Sequence, residues 1–311
     1  MMVPLFAIVL PTLFWTQGVN TGPKLLSAGI TQVAVPRSES GNWNTIAGIS
    51  VHPVDLTATI RLGNPGVTLH LDEASATRVP WLSSNGWRFM RQPNAHFYYD
   101  VPANTATLAA AEAFCYGSEA LIHTDLNGIE PLAKMLQFLK SINSDGAKPL
   151  ADIGFIDDGS AASAEVMNLM VRNNLLFQIV PASSSDHKLL VKPASKEYPL
   201  TSVKDADSIV HKIRANLTDS KRTVRLFGTS VVIVHLTGAP DKPRLHLLNY
   251  GAPAHIRVGG FRVRVLGRYP KSQISSFDSP GEKLLDYEVQ SDATEFTVPE
   301  LKTYAVIDLA R

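Results

Sequence analysis

Acidic residues end four of the apolar, strand-like runs in this sequence. The runs, each with the acids that follow it, are 66–71 before Asp72 and Glu73, 97–99 before Asp100, 120–124 before Asp125, and 153–156 before Asp157 and Asp158. In α/β folds, ligands bind just outside the carboxyl ends of parallel strands. Carboxylates at such a place can catalyse the hydrolysis of a sugar or bind its hydroxyl groups. The alternative is that each Asp caps the helix after its strand, so the pattern predicts the place of a site better than its chemistry.

Glu73, Asp125 and Asp100 are the catalytic candidates. A glycosidase needs two carboxyl groups across the scissile bond, and these residues could supply them. Glu73 is the best candidate for the acid or base, because it comes directly after a strand pattern. His123 is separated from Asp125 by one residue, so on a regular strand both side chains point to the same side and could form a site. The alternative for His123 is a core histidine whose hydrogen bonds are satisfied.

The segment 72–91 has the densest mixture of polar and aromatic residues. It contains two of the four tryptophans and three arginines. Sugar-binding clefts combine carboxylates and arginines, which bond to hydroxyl groups, with flat aromatic faces, which stack on the C–H side of a pyranose. The predicted substrate-binding residues are Asp72, Arg78, Trp81, Trp87, Arg88 and His123. The alternative is that both tryptophans close one end of the core, while Arg78 and Arg88 pair with Asp72 and Glu73.

Composition and charge exclude several classes of protein. Of the 311 residues, 45% are hydrophobic and 18% are charged, which is enough apolar material for a core and too little charge for a disordered chain. A net charge of +1 and the lack of a Lys/Arg-rich run give no support to nucleic-acid binding. We expect no cofactor and no metal: Asp157 and Asp158 could hold Mg²⁺ or Ca²⁺, but a helix cap is favoured. The single cysteine, Cys115, is expected to be a small buried hydrophobe in a helix.

The amino terminus has the character of a secretory leader. Residues 1–15 are apolar, contain two prolines and are short for a membrane-spanning helix. We expect residues 1–28 to be a signal peptide, which makes the protein secreted or periplasmic and limits its membrane contact to the cleaved leader. The alternatives are a wrongly assigned start codon or a buried first strand.

The order of patterns predicts an α/β chain with an all-β end. Strand and helix patterns alternate over 29–145, which predicts a reduced or partial (β/α) barrel-like region, and a compact α/β unit follows over 146–218. Over 219–311 the period changes to two, and seven strand candidates without an intervening helix predict an antiparallel β-sandwich. In the run 261–265, alternation places the arginines toward water and the apolar residues toward the core.

Parts of the chain resemble secreted bacterial glycoside hydrolases. Residues 110–122 are similar to the last helix and strand of a barrel, and residues 244–250 and 295–308 to a β-sandwich. The resemblance is to beta-galactosidases that carry a barrel, a glutamine-amidotransferase-like domain and a small β domain. It implies a carbohydrate ligand and an amidotransferase-like fold for 146–218. The barrel must be partial or reduced, because the chain before Ser141 is too short for eight strand–helix units.

Two functions follow from these patterns. The first is an exported carbohydrate-active protein that hydrolyses or binds a glycoside through strand-end carboxylates. The second is a non-catalytic binding or assembly module descended from a glycoside hydrolase, which would use its α/β unit and sandwich for homo-oligomer contacts. A carboxyl pair about 5 to 10 Å apart beside an open cleft supports hydrolysis, whereas buried carboxylates matched to arginines support the module. A hydrolase that acts on something other than a sugar is a weaker alternative.

Overall fold

The chain forms two compact units. The structure, a computed structural model, describes residues 10–68, 81–142, 148–182 and 186–311. Unit 1 comprises Met1–Gly66 and Gln92–Gly146, and unit 2 comprises Val67–Arg91 and Ala147–Arg311. Each unit contains parallel strands, so each has its own set of carboxyl strand ends.

The first half of the chain consists of short strands and helices. The strands are β1 Thr12–Leu13, β2 Gln32–Pro36, β3 Ser50–Val54, β4 Ile60–Leu62, β5 Gly66–Thr68, β6 Trp81–Ser83, β7 Phe97–Asp100 and β8 Ala120–His123. The helices are α1 Gly22–Ser27, α2 Gly86–Arg91, α3 Ala103–Cys115 and α4 Ile129–Ser141. Strands β5 and β6 form a two-stranded sheet of their own.

Unit 1 is built on six parallel strands. One sheet has the order β1-β8-β7-β4, and β2 pairs with β3. Phe14 and Ala34 form a parallel bridge that links β1 to β2, so the full order is β3-β2-β1-β8-β7-β4. The last strand of this unit therefore lies beside the first, as it does in a (β/α) barrel. Among the described residues no pairing joins β3 to β4, and no closed barrel is present.

The two faces of this sheet are covered differently. Apolar residues at alternate positions are fully buried on one face, among them Leu13, Tyr99 and Ile122. The other face carries a smaller cluster of Phe14, Ala34 and Tyr98, against which Val54, Leu56 and Leu121 pack. Helices α3 and α4 pack on each other, and α3 buries the predicted small hydrophobe Cys115. Burial raises the pKa of the Cys115 thiol well above its usual value, so this cysteine is held as a neutral thiol.

Residues 12–15 lie inside unit 1. Strand β1 lies between β2 and β8, and Leu13, Phe14 and Trp15 are buried. A cleavage after residue 28 would remove this strand and α1. Residues 12–15 thus have the packing expected for the alternative, a buried first strand, and the signal peptide of residues 1–28 stays a prediction. Export itself stays a prediction.

The α/β part of unit 2 contains a three-stranded parallel sheet. Its strands are β9 Ile153–Phe155, β10 Phe177–Ile179 and β11 Leu189–Val191, and its helices are α5 Ala161–Arg172 and α6 Ala206–Leu217. The order is β10-β9-β11. The side chain of Ser160 accepts a hydrogen bond from the Ser163 amide and so caps α5. Helix α3, by contrast, begins after Pro102, which provides no side-chain cap.

The remainder of unit 2 consists of two antiparallel sheets. The strands are β12 Val224–Phe227, β13 Val232–Ala239, β14 Lys242–Asn249, β15 Val258–Leu266, β16 Lys271–Ser276, β17 Leu285–Val289, β18 Ala293–Leu301 and β19 Tyr304–Ala310. The sheets have the orders β12-β15-β18-β17 and β13-β14-β19-β16. Each predicted strand is present, and the polar β16 is an additional one. In β15, Phe261, Val263 and Val265 are fully buried, while Arg262 and Arg264 form ion pairs with acids of the neighbouring strands or loops.

Hydrogen bonds join the α/β part of unit 2 to its antiparallel sheets. The Asn174 side chain donates to the Val232 carbonyl at 3.0 Å and accepts from the Val234 amide at 2.7 Å. The buried Asp152 carboxylate accepts from the Thr223 amide at 2.8 Å. The predicted regions 146–218 and 219–311 thus share one compact unit, to which residues 67–91 also belong. None of the helices in the described ranges has the length and apolarity needed to cross a bilayer.

Candidate functional site

Four side chains meet at the carboxyl ends of the unit 1 strands. The Asp100 carboxylate contacts two cationic or titratable groups: Arg61 Nη2 lies 2.7 Å from Oδ2, and His123 Nδ1 lies 2.8 Å from Oδ1. On its other side, His123 Nε2 lies 3.2 Å from Thr16 Oγ1. We call these four residues the strand-end cluster. Arg61, Asp100 and His123 lie in β4, β7 and β8, and Thr16 lies three residues after β1.

The sheet register explains why these residues meet. Asp100 and His123 are paired neighbours in the parallel ladder of β7 and β8. Arg61 pairs with Tyr98, two residues before Asp100, so both side chains lie on one face. The Arg61 guanidinium carbon lies 5.8 Å from the Tyr98 ring centroid. Burial raises the pKa of the Tyr98 hydroxyl, and the charge of Asp100 adds to this effect.

The strand-end cluster is accessible to a ligand. The Asp100 side chain is 42% exposed and the His123 side chain 26% exposed. Beneath them, the Phe14 ring centroid lies 6.3 Å from that of His123 in an edge-on arrangement. The cluster thus combines an anionic acceptor, an imidazole and a hydroxyl above an aromatic floor, which are the groups that recognise polyhydroxylated ligands.

Asp125 has a different environment from Asp100. Its Oδ1 accepts hydrogen bonds from the amides of Asn127 at 2.8 Å and Gly128 at 3.2 Å, just before α4 begins. This is the capping role that was the alternative for each strand-end Asp. The imidazole of His123 bonds to Asp100 across the sheet, which is a contact that local spacing with Asp125 does not indicate.

Trp81, Trp87 and Arg88 belong to unit 2. The Arg88 guanidinium lies over the Trp87 ring at 4.2 Å, and that of Arg172 lies over the Trp81 ring at 3.4 Å. Trp81 remains 42% exposed. Each indole therefore already has a cation over one face, and only the remaining face of Trp81 or Trp87 could stack on a sugar. Asp72, Glu73 and Arg78, the other predicted site residues of this segment, lie outside the described residues.

One cavity of unit 1 lies away from its carboxyl strand ends. Its volume is about 630 Å³, and its lining includes His96 and Glu119, which directly precede β7 and β8. His96 Nδ1 and Glu119 Oε2 are 2.6 Å apart. Neither Asp100 nor Asp125 lines this cavity. The strand-end cluster is therefore separate from this cavity, and its exposed side chains place it at the surface.

Asp157 and Asp158 have structural partners. Arg91 Nε and Nη2 donate to the two oxygens of Asp157 at 2.8 and 2.9 Å. Asp158 accepts from the Ser160 amide at 2.9 Å. Within the described ranges, no group of three or more His, Cys, Asp or Glu side chains has an arrangement that could hold a metal ion.

Sequence reasoning missed Thr16, Arg61 and Arg172. Thr16 was assigned to the leader, and Arg61 lies on a strand of three residues with no clear pattern. Arg172 ends α5, where a basic residue is ordinary. Only the pairing of non-adjacent strands reveals the first two, although the alternation Ile60-Arg61-Leu62 was a weak signal for a short strand.

Comparison with known proteins finds solved structures that are similar to this one. No family model and no curated protein matches the sequence. The structure is similar to alpha-L-fucosidase isoenzyme 2 from Paenibacillus thiaminolyticus, with a TM-score of 0.55, 10% identity and coverage of 87% of this chain and 70% of that one. A beta-galactosidase from G. stearothermophilus matches with a TM-score of 0.42 and 7% identity over 88% of this chain and 66% of that one. A beta-galactosidase from Bacillus circulans sp. alkalophilus matches with a TM-score of 0.39 and 10% identity over 90% of this chain and 63% of that one.

The likeness to the fucosidase concerns the fold alone, because the identity is low. The chain has a mixed α/β fold distantly similar to that of a glycoside hydrolase, with parallel sheets followed by antiparallel ones. At this level the resemblance predicted from the sequence is confirmed.

Proposed function

We propose that the protein binds a carbohydrate through the strand-end cluster of unit 1. The observation that carries this proposal is the hydrogen-bonded row of Arg61, Asp100, His123 and Thr16 at the carboxyl ends of neighbouring parallel strands. Ligands of parallel α/β sheets bind at these ends. The strand order of unit 1 supports descent from a (β/α) barrel that is open between β3 and β4, and the fold is similar to that of a fucosidase.

Binding is favoured over hydrolysis by the partners of the described carboxylates. Both oxygens of Asp100 are engaged, one by Arg61 and one by His123, and Asp125 bonds to backbone amides. A glycosidase needs one carboxyl group that carries a proton for the leaving group. A carboxylate held between two donor groups is suited to accept hydrogen bonds from hydroxyl groups instead.

The test is a binding titration of the full-length protein with methyl α-L-fucoside and methyl β-D-galactoside, followed by NMR. We expect Asp100→Asn to weaken binding of the preferred glycoside at least tenfold. Asp292→Asn is the matched control, because Asp292 is also an exposed acid that accepts from an arginine at 2.8 Å, in unit 2. Equal affinities of the two variants, or no binding of any sugar on a broad glycan array, would contradict the proposal.

Hydrolysis is the second candidate, because Asp100 is accessible to solvent beside an imidazole. The acid or base predicted from the sequence, Glu73, lies outside the described residues and is tested separately. The purified protein and its Glu73→Gln variant should be compared on 4-nitrophenyl glycosides. Release of nitrophenol that is lost in the variant would establish hydrolysis, whereas equal rates would remove Glu73 from the mechanism.

We also propose that the protein is exported, on the basis of its apolar amino terminus. The measurement is amino-terminal sequencing of the protein recovered from each cell fraction. Because β1 lies between β2 and β8, we expect the mature protein to retain Thr12–Leu13. A secreted form that begins at residue 29 would confirm the predicted cleavage, and the sheet of that form would lack β1.

A further inference from the structure

We propose that the carboxyl end of the parallel sheet in unit 2 binds a small phosphate monoester. A cavity of about 510 Å³ lies there, a size that is typical of small-molecule sites. It is lined by Ile156, which follows β9, by Lys192, which follows β11, and by Lys196 and Tyr198 from the next segment. This inference concerns a different unit from the proposed carbohydrate site and does not depend on it.

The topology of the sheet supports a ligand at this place. Strand β9 is central, β10 lies on one side of it and β11 on the other. After β10 the chain therefore crosses to the opposite side of β9, so the strand order reverses at this point. Open α/β sheets bind ligands in the crevice at such a switch point, outside the carboxyl ends of the strands. The Ile156 amide donates to the Val191 carbonyl at 2.9 Å, which places the cavity-lining Ile156 and Lys192 beside each other at this end.

The charges around the cavity favour an anion. Among the described residues, neither Lys192 nor Lys196 has an acidic partner within ion-pair distance, and both are exposed. The acids that follow β9 are already engaged, since Asp157 pairs with Arg91 and Asp158 accepts from a backbone amide. The described lining contains two lysines and one acid, Glu197, so its formal charge is +1.

The cations fit a phosphate group. A lysine ammonium group acts as a compact point charge and is a common ligand of phosphate in proteins. Two ammonium groups at one cavity match a phosphate monoester, which carries a charge of about −1.5 to −2 at pH 7. Among the described residues of the lining there is no arginine.

The rest of the lining suits an apolar body attached to the phosphate. Leu190 is 37% exposed although it is a large apolar residue on a strand, and Ile156 and Ala182 lie with it in the lining. Tyr198 forms a rigid wall: it is buried, and its hydroxyl accepts a hydrogen bond from Asn216 Nδ2 at 3.0 Å. The Lys212 ammonium lies 5.5 Å from the Tyr198 ring centroid and adds positive charge behind that wall.

Calorimetric titration of the full-length protein with phenyl phosphate tests the inference. Phenol, which lacks the phosphate, and inorganic phosphate, which lacks the apolar body, are the ligand controls. We expect phenyl phosphate to bind at least tenfold more tightly than either. The double variant Lys192→Gln/Lys196→Gln should lose at least tenfold in affinity.

The matched variant is Lys242→Gln/Lys271→Gln, which removes the same charge from two exposed lysines of the antiparallel sheets. It should bind phenyl phosphate within twofold of the wild type. Three results would overturn the inference: no binding of phenyl phosphate at millimolar concentration, equal binding of phenyl phosphate and phenol, or equal losses in the two double variants. The last result would mean that net charge alone attracts the anion.

Discussion

The two parallel sheets of this protein have different charges at their carboxyl ends. In unit 1, Asp100 lies on the surface between Arg61 and His123. In unit 2, Asp157 is largely buried in a bidentate pair with Arg91, and the exposed charges at that end include Lys192 and Lys196 beside Asp158 and Glu197. The same topological rule locates both ends. The comparison teaches that the partners of the acids, and not their position after a strand, decide which ligand each end can bind.

The largest effect should come from the buried carboxylate of unit 2. Asp152 is 2% exposed and accepts from the Thr223 amide and from Lys188 Nζ, each at 2.8 Å. Asp152→Ala leaves these donors without their acceptor, and we expect it to destabilise unit 2 by about 3 to 5 kcal/mol. The exposed Asp100→Ala should cost unit 1 less than about 1 kcal/mol.

Hydrogen–deuterium exchange of peptides from each unit measures both changes, because it reports stability locally. The Asp152→Asn variant keeps one oxygen acceptor, so the stability of its unit 2 should lie between those of the wild type and the alanine variant. If Asp152→Ala and Asp100→Ala had equal effects, the distinction between buried and surface carboxylates would fail.

The second effect is a dependence of unit 2 on pH. Burial lowers the pKa of His235 to about 4, and burial, with smaller effects of His235 and Arg244, lowers the pKa of His246 well below its usual value. Below a pH of about 6.5 the unfolded state binds protons that the folded state excludes. The stability of unit 2 should therefore be complete above this pH and fall by about 3 kcal/mol for His235 alone as the pH drops toward 4.

Thermal unfolding between pH 4 and pH 8 checks this dependence. His235→Gln should reduce the slope of the pH profile whatever its effect on absolute stability, since only His246 of the two buried histidines then remains to titrate. The exposed His211, substituted in the same way, is the control and should leave the slope unchanged. A wild-type profile that is flat from pH 7 to pH 4.5 would contradict the expectation.

The third effect compares two arginine–aspartate pairs. The Arg91 and Asp157 side chains are only 15% and 13% exposed, whereas those of Arg61 and Asp100 are 71% and 42% exposed. Arg91→Gln should destabilise unit 2 by about 2 kcal/mol, because it leaves a largely desolvated carboxylate without its bidentate partner. Arg61→Gln should change stability by less than about 0.5 kcal/mol and act on sugar binding instead. Denaturant midpoints measured for both variants would show the difference, and a larger loss for Arg61→Gln would reverse the comparison.

The smallest effect concerns close packing at β9. A Cβ atom on Gly154 would lie 2.9 Å from Val180 Cγ2 and 3.1 Å from His187 Nδ1. Gly154→Ala should therefore cost unit 2 about 1 to 2 kcal/mol. Gly63 follows β4 in unit 1, and a Cβ atom there would meet no other atom within 4 Å, so Gly63→Ala should be neutral within about 0.5 kcal/mol. Equal midpoints for the two variants would show that the connection after β10 can move aside.

Local patterns predicted much of the fold. The helical periodicity of 129–139 and the strict alternation of 261–265 mark α4 and β15, because burial of one face selects one periodicity. The same approach did not indicate the polar β16, which exists because the neighbouring strand β19 supplies its hydrogen bonds.

The sequence by itself determined the class of the fold and the places where strand-end acids occur, because these depend on interactions between residues close in the chain. Only the tertiary structure decided that Asp125 bonds to its own helix start, while Asp100 joins Arg61 and His123. The reason is physical: a side chain can bond only to groups within about 3 Å. Which groups lie that close to Asp100 is decided by the register between strands that are distant in sequence.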